Sequence, residues 1–414
     1  MKGVKTIWIL AATVFAAVLV SCERQEPVNP LKDRKVLVLY SCGYNNLSGN
    51  LAEDISILCK DAPPAGLSGL YKLLVFSHKT ASFGNYTTPT HPVLIDVYKD
   101  RWNGTVVMDT VRVYPETMVG ASSEAVATVL GDIVGMYPSA EYGMVISSHA
   151  TGWLPEHYYN GNSSGGALFS VNNAMMMCAP PLVKSMCSHY GVRNGQVYSD
   201  REIGIADFAS AIPVHLKYLV MDMCLMGGVE CAYELRNVTD YLAVSPTEVL
   251  SDGFEYGNML KRLLYSDEPD VRGVCEDYYN CYAEKNSSAT ISLVDCRNMK
   301  GLASVCADLF EKYRSGIGNV NQNNVQRYWR DGKHWFYDLR DILVNAGISA
   351  EDMAAFDNAM ASCVLYNEAT PKFLGIPIRT HCGLSMYLPK MDSNAGLRAF
   401  YSGLAWNKAT SLVK

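Results

Sequence analysis

Residues 35–256 alternate between short apolar runs and longer stretches in which apolar residues recur at helical spacing. The apolar runs are rich in large and β-branched residues and predict strands at Lys35–Tyr40, Tyr71–His78, Tyr142–Ser147, Tyr218–Met221 and Tyr241–Ser245. The helical patterns lie at Asn46–Cys59, Ser122–Met136, Ile203–Ala211 and Val229–Leu235. Thr105–Tyr114 alternates in the way that an edge strand or hairpin does. Repeated strand–helix units predict an α/β fold with a mostly parallel central sheet and helices on both faces.

Helical patterns dominate from about Gly257 onwards. They lie at Met259–Tyr265, Val271–Lys285, Met299–Arg314, Tyr328–Asn345 and Ala350–Tyr366. Two short apolar runs, Thr290–Val294 and Gly383–Leu388, predict strands among these helices. We therefore expect a core at 35–256 and a mainly helical region at 257–414 that completes the fold.

The first 21 residues have the pattern of an export signal. Lys2 and Lys5 precede an apolar stretch that is short for a transmembrane helix. The stretch ends in Leu-Val-Ser-Cys22, which resembles a bacterial lipobox and implies cleavage before Cys22 and lipid attachment to its thiol. Polar residues 22–34 then predict a tether. The expectation is an exported protein that a lipid anchors to the cell envelope, at its periplasmic face or the cell surface. The alternative is an ordinary signal peptide with a chance cysteine.

Composition narrows the class of partner. Hydrophobic residues make up 49% of the chain and charged residues 18%, values that a globular protein has. The net charge is −6 and no basic stripe is present, so we expect no nucleic-acid partner. The 13 cysteines are irregularly spaced without a CxxC pair, which argues against a disulfide scaffold or a zinc ribbon. We expect no metal or other cofactor, and a monomer.

The candidate chemistry lies where two predicted strands end. Cys224 follows the Tyr218 strand and precedes a Gly-Gly turn and a helix, a setting that can hold a reactive thiol at the edge of a sheet. His149 follows the Tyr142 strand. Because the carboxyl ends of parallel strands meet at one edge, the two side chains predict a Cys–His dyad. The alternatives are a structural core cysteine and a loop histidine. Glu230 and Glu234 are interpreted as helix-surface or capping carboxylates.

Four stretches resemble the clostripain family of cysteine peptidases. They are the histidine motif SSHATGW, the cysteine motif MDMCLMGGVECAYEL, the opening LVLYSCGYNNL and the late strand CGLSMYLP. The resemblance implies a caspase-like α/β/α sandwich in which His149 is the general base or orienting residue and Cys224 the nucleophile. The backbone N–H groups of Ala150 and Cys224 would form the oxyanion hole.

The resemblance also implies a basic specificity. Asp222 matches an aspartate that lines the S1 pocket of members that cleave after Arg or Lys. Asp252 falls where such members can place a second acidic residue. A buried carboxylate pair would favour a guanidinium or ammonium group at P1. The alternatives are a strand-end carboxylate that caps a turn for Asp222, and an ordinary Asp-Gly turn for Asp252.

Three departures and open points accompany the resemblance. Ala150 replaces the usual glycine after the histidine, and alanine resists a positive φ. Some family members mature by cleavage after a basic residue between the dyad members, where this chain has Lys184, Arg193 and Arg201. Some relatives depend on calcium; no EF-hand spacing occurs here, and the alternative is a calcium site built from dispersed ligands.

The sequence therefore predicts an exported, lipid-anchored cysteine endopeptidase that cleaves protein or peptide substrates after Arg or Lys through a thioester. One alternative is a noncatalytic surface-binding lipoprotein that keeps the fold. Another is a Cys–His acyltransferase.

Overall fold

A computed structural model describes residues 34–65, 70–156, 158, 186–329, 335–389 and 394–414. The predicted signal peptide, Cys22, nearly all of the tether and Lys184 lie outside the described residues. No helix in the described part of the chain is long and apolar enough to cross a membrane.

The central feature is a nine-stranded sheet with the order β12-β10-β9-β8-β5-β1-β2-β3-β4. Its strands are β1 (Lys35–Gly43), β2 (Tyr71–Lys79), β3 (Val93–Lys99), β4 (Val106–Val113), β5 (Glu141–Ser147), β8 (Leu216–Asp222), β9 (Thr239–Val244), β10 (Thr290–Asp295) and β12 (Val364–Ala369). The central five, from β9 to β2, are parallel, and the outer strands pair antiparallel on both sides. The parallel centre brings the carboxyl ends of β1, β5 and β8 together at one edge.

Helices cover both faces of the sheet. They are α1 (Ser48–Cys59), α2 (Ser123–Met136), α3 (Ile205–Ala211), α4 (Val229–Leu235), α5 (Met259–Leu263), α6 (Val271–Glu284), α7 (Met299–Lys312), α8 (Arg314–Gly318), α9 (Leu339–Asn345), α10 (Ala350–Cys363), α11 (Ala395–Gly403) and α12 (Ala405–Thr410). One apolar cluster joins α1, α5 and α6 to the first face. The larger cluster joins α2, α3, α4, α7, α10 and α12 to the second. The predicted α/β class, with helices on both faces, is therefore confirmed.

Short strands complete the structure. They are the hairpin β6 (Met186–Arg193) and β7 (Gln196–Ile203), the pair β11 (Tyr337–Asp338) and β15 (Ser385–Met386), and the pair β13 (Lys372–Phe373) and β14 (Ile376–Pro377). Arg193 and Arg201, two of the candidate processing positions, lie exposed on the hairpin.

Four predictions of local structure were wrong or incomplete. The helix predicted at Ala350–Tyr366 ends at Cys363, and the strand β12 follows it directly. The strand Val93–Lys99 and the β6–β7 hairpin were missed, although Asn194 and Gly195 both have the positive φ of a tight hairpin turn. The predicted helix Tyr328–Asn345 begins only at Leu339. Its start is set by Asp338, whose carboxylate accepts the Asp341 N–H as a cap and also accepts the Tyr328 hydroxyl and the Cys382 N–H.

The region 257–414 adds more than helices. It supplies β10, which pairs with β9, and β12, which pairs with β10, and both strands extend the central sheet. The regions 35–256 and 257–414 therefore share one sheet.

Candidate active site

The two candidate dyad residues lie just beyond neighbouring strand ends. β5 and β8 are parallel, and Ser147 pairs with Asp222 at their carboxyl ends. His149 and Cys224 each follow the paired residue by two positions. Neighbouring strands are about 4.8 Å apart, so the two chains leave the sheet next to each other and both residues lie at the same edge.

Asn46 orients the His149 ring. The ring is 6% exposed, and its Nε2 lies 2.6 Å from the Asn46 side-chain oxygen. That oxygen only accepts hydrogen bonds, so Nε2 carries the hydrogen and Nδ1 is left as the basic nitrogen. Burial lowers the pKa of His149 to about 3, which keeps the ring neutral. The structure therefore presents a ring that can accept a proton at Nδ1.

Asn46 lies in the opening stretch LVLYSCGYNNL, and no role in the site was predicted for it. The available signal was its position three residues after the end of β1, because β1 pairs with β5 and ends at the same edge of the sheet.

The Cys224 sulfur contacts the loop that follows β9. The Val249 N–H donates to the sulfur at 3.3 Å, and the thiol lies 3.5 Å from the Val249 carbonyl oxygen. The next residue, Leu225, has a φ of 62° and donates its N–H to the Thr247 carbonyl at 2.7 Å. The side chain of Cys224 is 7% exposed. The loops after β8 and β9 thus position the thiol together.

The helix after the cysteine occupies the predicted range, Val229–Leu235. Between Cys224 and this helix, the Gly227 N–H donates to the Ser245 carbonyl. The backbone between Cys224 and α4 is therefore held by β9 and its loop.

The left-handed position in the histidine loop is Gly152, with a φ of 64°; Ala150 is not among the described residues with a positive φ. A Cβ on Gly152 would come within 2.6 Å of the Leu225 carbonyl oxygen, so the histidine and cysteine loops are in close backbone contact there. Alanine in place of glycine at position 150 therefore imposes no left-handed strain.

Asp222 is buried beneath the candidate dyad. Its Oδ2 accepts the Ser147 hydroxyl at 3.0 Å and the Tyr256 hydroxyl at 2.7 Å. Burial raises the pKa of Asp222, and these hydrogen bonds oppose that rise. Gly253, with a φ of 64°, packs its backbone against the same carboxylate. Asp252, directly before this glycine, is exposed.

Glu230 and Glu234 on α4 both bind the C-terminal region. Glu230 is fully buried, and its Oε1 accepts the Tyr387 N–H and the Tyr401 hydroxyl, each at 2.9 Å. The interpretation of Glu230 as a helix-surface carboxylate is therefore wrong. Glu234 accepts the Ala405 N–H at the start of α12, which fits a capping role.

The C-terminal region also holds both loops of the site. Ser385 donates its N–H to the Gly227 carbonyl at 2.8 Å. Trp153, the last residue of the histidine motif, is fully buried against the rings of Tyr387 and Tyr401.

No group of three or more His, Cys, Asp or Glu residues suited to a metal ion occurs among the described residues.

Comparison with known proteins places these features in a family. The sequence model of the clostripain family matches residues 196–411, just over half of the chain. The matched region contains Asp222 and Cys224 and begins after His149. No curated protein matches the chain.

Solved structures agree on the fold. An inactive zymogen C11 protease from Parabacteroides distasonis is 24% identical, with 91% of this chain and 98% of that chain covered and a TM-score of 0.71. A secreted C11 cysteine protease from Bacteroides thetaiotaomicron, iotapain, is 21% identical, with 91% and 99% covered and a TM-score of 0.71. A secreted C11 cysteine protease from Bacteroides thetaiotaomicron in complex with an irreversible peptide inhibitor is 21% identical, with 91% and 98% covered and a TM-score of 0.69. The fold is the predicted caspase-like one, and the chain belongs to the clostripain family of cysteine peptidases.

Proposed function

We propose that the chain is an exported, lipid-anchored cysteine endopeptidase in which His149 and Cys224 form the catalytic dyad and the P1 residue is Arg or Lys. The observation that supports this most strongly is the register of β5 and β8, which sets both residues at one edge beside the buried Asp222 carboxylate.

The chemical steps follow from the orientation of the histidine. Nδ1 of His149 accepts the Cys224 proton, and the thiolate attacks the scissile carbonyl. The backbone N–H groups of Ala150 and Cys224 bind the oxyanion of the tetrahedral intermediate. The intermediate collapses to a thioester as His149 protonates the leaving amine. Water activated by the same ring then hydrolyses the thioester and regenerates the thiol.

The thiol must first leave its contact with Val249. In this structure both described hydrogen bonds of the sulfur are to the Val249 backbone. A substrate that displaces the loop after β9 would therefore also release the nucleophile. The same loop leads to Asp252 and Gly253, so P1 binding and thiol release involve one segment.

Asp222→Asn tests the basic specificity. The substitution removes a charge that would bind the P1 cation, and a charge-assisted hydrogen bond contributes about 1.5–3 kcal/mol. We expect kcat/KM for an arginyl fluorogenic peptide to fall roughly 10- to 150-fold, with little change for a matched peptide that has a neutral P1 residue. Asp308→Asn on the exposed face of α7 serves as the control. Equal cleavage of basic and neutral P1 peptides by the wild-type protein would refute basic specificity.

Cys22→Ser tests the lipid anchor. The proposal rests on the resemblance of Leu19–Cys22 to a lipobox. Covalently attached acyl chains bind proteins to membranes. The lipidated protein should therefore sediment with membranes, and detergent should release it into the supernatant. We expect the serine variant to lose incorporation of a labelled fatty acid. Retained label in that variant would exclude Cys22 as the lipidation site.

A further inference from the structure

One face of the sheet becomes polar in its last row. Ser41, Ser147 and Asp222 are neighbours in register on β1, β5 and β8. Two residues earlier on each strand, and therefore on the same face, are Leu39, Val145 and Val220, which belong to one apolar cluster. The polar row marks the boundary between the core and the proposed S1 pocket.

Helix α1 lies over this face. Its buried residues Leu51, Asp54 and Leu58 fall on one side of the helix, and Leu58 belongs to the same apolar cluster as Leu39 and Val220. Because β1 and β2 are parallel, α1 runs back from the edge of the sheet along which the dyad lies. Asp54 is six residues into the helix, roughly 9 Å below its start. A carboxylate therefore occupies a helix position that normally carries an apolar side chain.

The Asp54 carboxyl group is buried without adequate partners. The residue is 7% exposed, and its Oδ2 has no hydrogen-bond partner among the described residues. Burial raises the pKa of Asp54 to about 8, and the nearby Asp222 charge is the next largest cause, followed by Glu53 and Asp252. Buried polar groups without partners are rare in folded proteins, and a carboxylate that is also close to another carboxylate points to a functional role.

We propose that Asp54 is a third carboxylate of the S1 pocket, close to Asp222, and that it binds the cationic end of the P1 side chain. The inference rests on the proposed function, because it assumes that Asp222 faces the P1 residue. Asp54 lies in α1, outside the histidine and cysteine motifs, so a helix beyond these motifs would contribute to substrate specificity.

The titratable groups around Asp54 make the binding of the P1 cation depend on pH. Glu53 is its exposed neighbour on α1, Asp222 faces it from β8, Asp252 and Tyr256 from the loop after β9, and Tyr282 from α6. Lys285 lies at the outer side, near Asp252. Without a P1 cation, the pKa of Asp54, raised to about 8 by burial and the neighbouring carboxylates, favours its protonated form at lower pH. A bound P1 cation favours the carboxylate, so binding releases a proton and becomes stronger as the pH rises towards 8.

The test compares arginyl and citrullyl fluorogenic peptides of otherwise identical sequence between pH 6 and 9. Citrulline has the shape of arginine without its charge. For the wild-type protein, the arginine-to-citrulline ratio of kcat/KM should rise about tenfold with pH before it levels off. In Asp54→Asn the ratio should be about tenfold lower at pH 8.5 and independent of pH. Glu53→Gln, which removes the exposed neighbouring carboxylate, should retain the wild-type ratio at pH 8.5 and move its rise slightly to lower pH, because Glu53 contributes to the raised pKa of Asp54.

The outcomes separate this inference from the proposed function. If Asp222→Asn lowers the ratio but Asp54→Asn leaves both the ratio and its pH profile unchanged, the role of Asp54 is refuted. If the wild-type protein does not distinguish arginine from citrulline, the basic specificity itself is refuted. Turnover of the citrullyl peptide reports that the variant is folded. Asp54→Leu, which continues the apolar side of α1, replaces the asparagine variant if that variant does not fold, and the same loss is expected.

Discussion

Replacing Cys224 by alanine is expected to reduce turnover of arginyl and lysyl peptides by a factor on the order of 10³ or more, because removal of a covalent nucleophile leaves only binding and oxyanion stabilisation. The effect should appear in kcat, with KM changed much less. Fluorogenic assay of purified wild-type and variant proteins, after treatment with trypsin and calcium in parallel samples, measures it. Thermal unfolding should remain close to that of the wild type because the change removes a single sulfur atom from a loop.

Cys231→Ala is the matched control for this variant. Cys231 is fully buried in α4, close to Cys224 along the chain. Its thiol has a pKa raised well above the usual value by burial, so it is a poor nucleophile. We expect the control to retain activity. Persistent turnover in Cys224→Ala together with loss of turnover in Cys231→Ala would identify Cys231 as the nucleophile. Absence of turnover in the wild type under every condition would refute the proposed peptidase activity.

The second large effect is on stability and concerns Glu230→Ala. The substitution leaves the Tyr387 N–H and the Tyr401 hydroxyl buried without their acceptor and opens a cavity in the core. Each unsatisfied group costs about 1–3 kcal/mol, so the free energy of unfolding should fall by roughly 3–5 kcal/mol. Chemical denaturation monitored by tryptophan fluorescence measures the change. Glu284→Ala, at an exposed position near the end of α6, should alter it by less than about 0.5 kcal/mol.

The pH dependence of the same measurement identifies the charge. Burial raises the pKa of Glu230 from 4.5 to about 7. The folded state therefore binds more protons than the unfolded state between these values, and its contribution to stability is lost as the pH rises from about 4.5 to 7. Glu230→Gln cannot titrate and should remove this slope while it keeps the oxygen that accepts both hydrogen bonds. An unchanged slope in Glu230→Gln would assign the titration to another group.

The part of the fold that sequence predicted is the part with local signals. Apolar runs identified the parallel centre of the sheet, and parallel pairing then brought His149 and Cys224 to one edge. The β6–β7 hairpin has few continuous apolar residues, so its pattern was weak. The prediction of a helix from Tyr328 was wrong because Asp338 accepts three hydrogen bonds, one of which caps α9 at Leu339. The spacing of apolar residues carries no information about these hydrogen bonds.

The parts of the site that sequence missed are polar residues whose roles depend on distant partners. A glutamate on a helix is normally exposed, and Glu230 is buried only because Tyr387 and Tyr401 reach it from 157 and 171 residues away. The role proposed for Asp54 is hidden in the same way, since nothing near it in sequence shows that its side of α1 lies close to Asp222. The spacing of motifs predicts which strand ends meet but not which helix covers them.

The hydrogen bond between Ser385 and Gly227 has a consequence for the order of events during synthesis. The two residues are 158 positions apart, and the backbone beside the nucleophile is held by the later one. A ribosome that has just completed the cysteine motif must still add that whole interval before the loop can be fixed. A nascent or truncated chain therefore contains Cys224 without the support that orients it, and the cell that makes this peptidase carries an unassembled site until translation of the C-terminal region is finished.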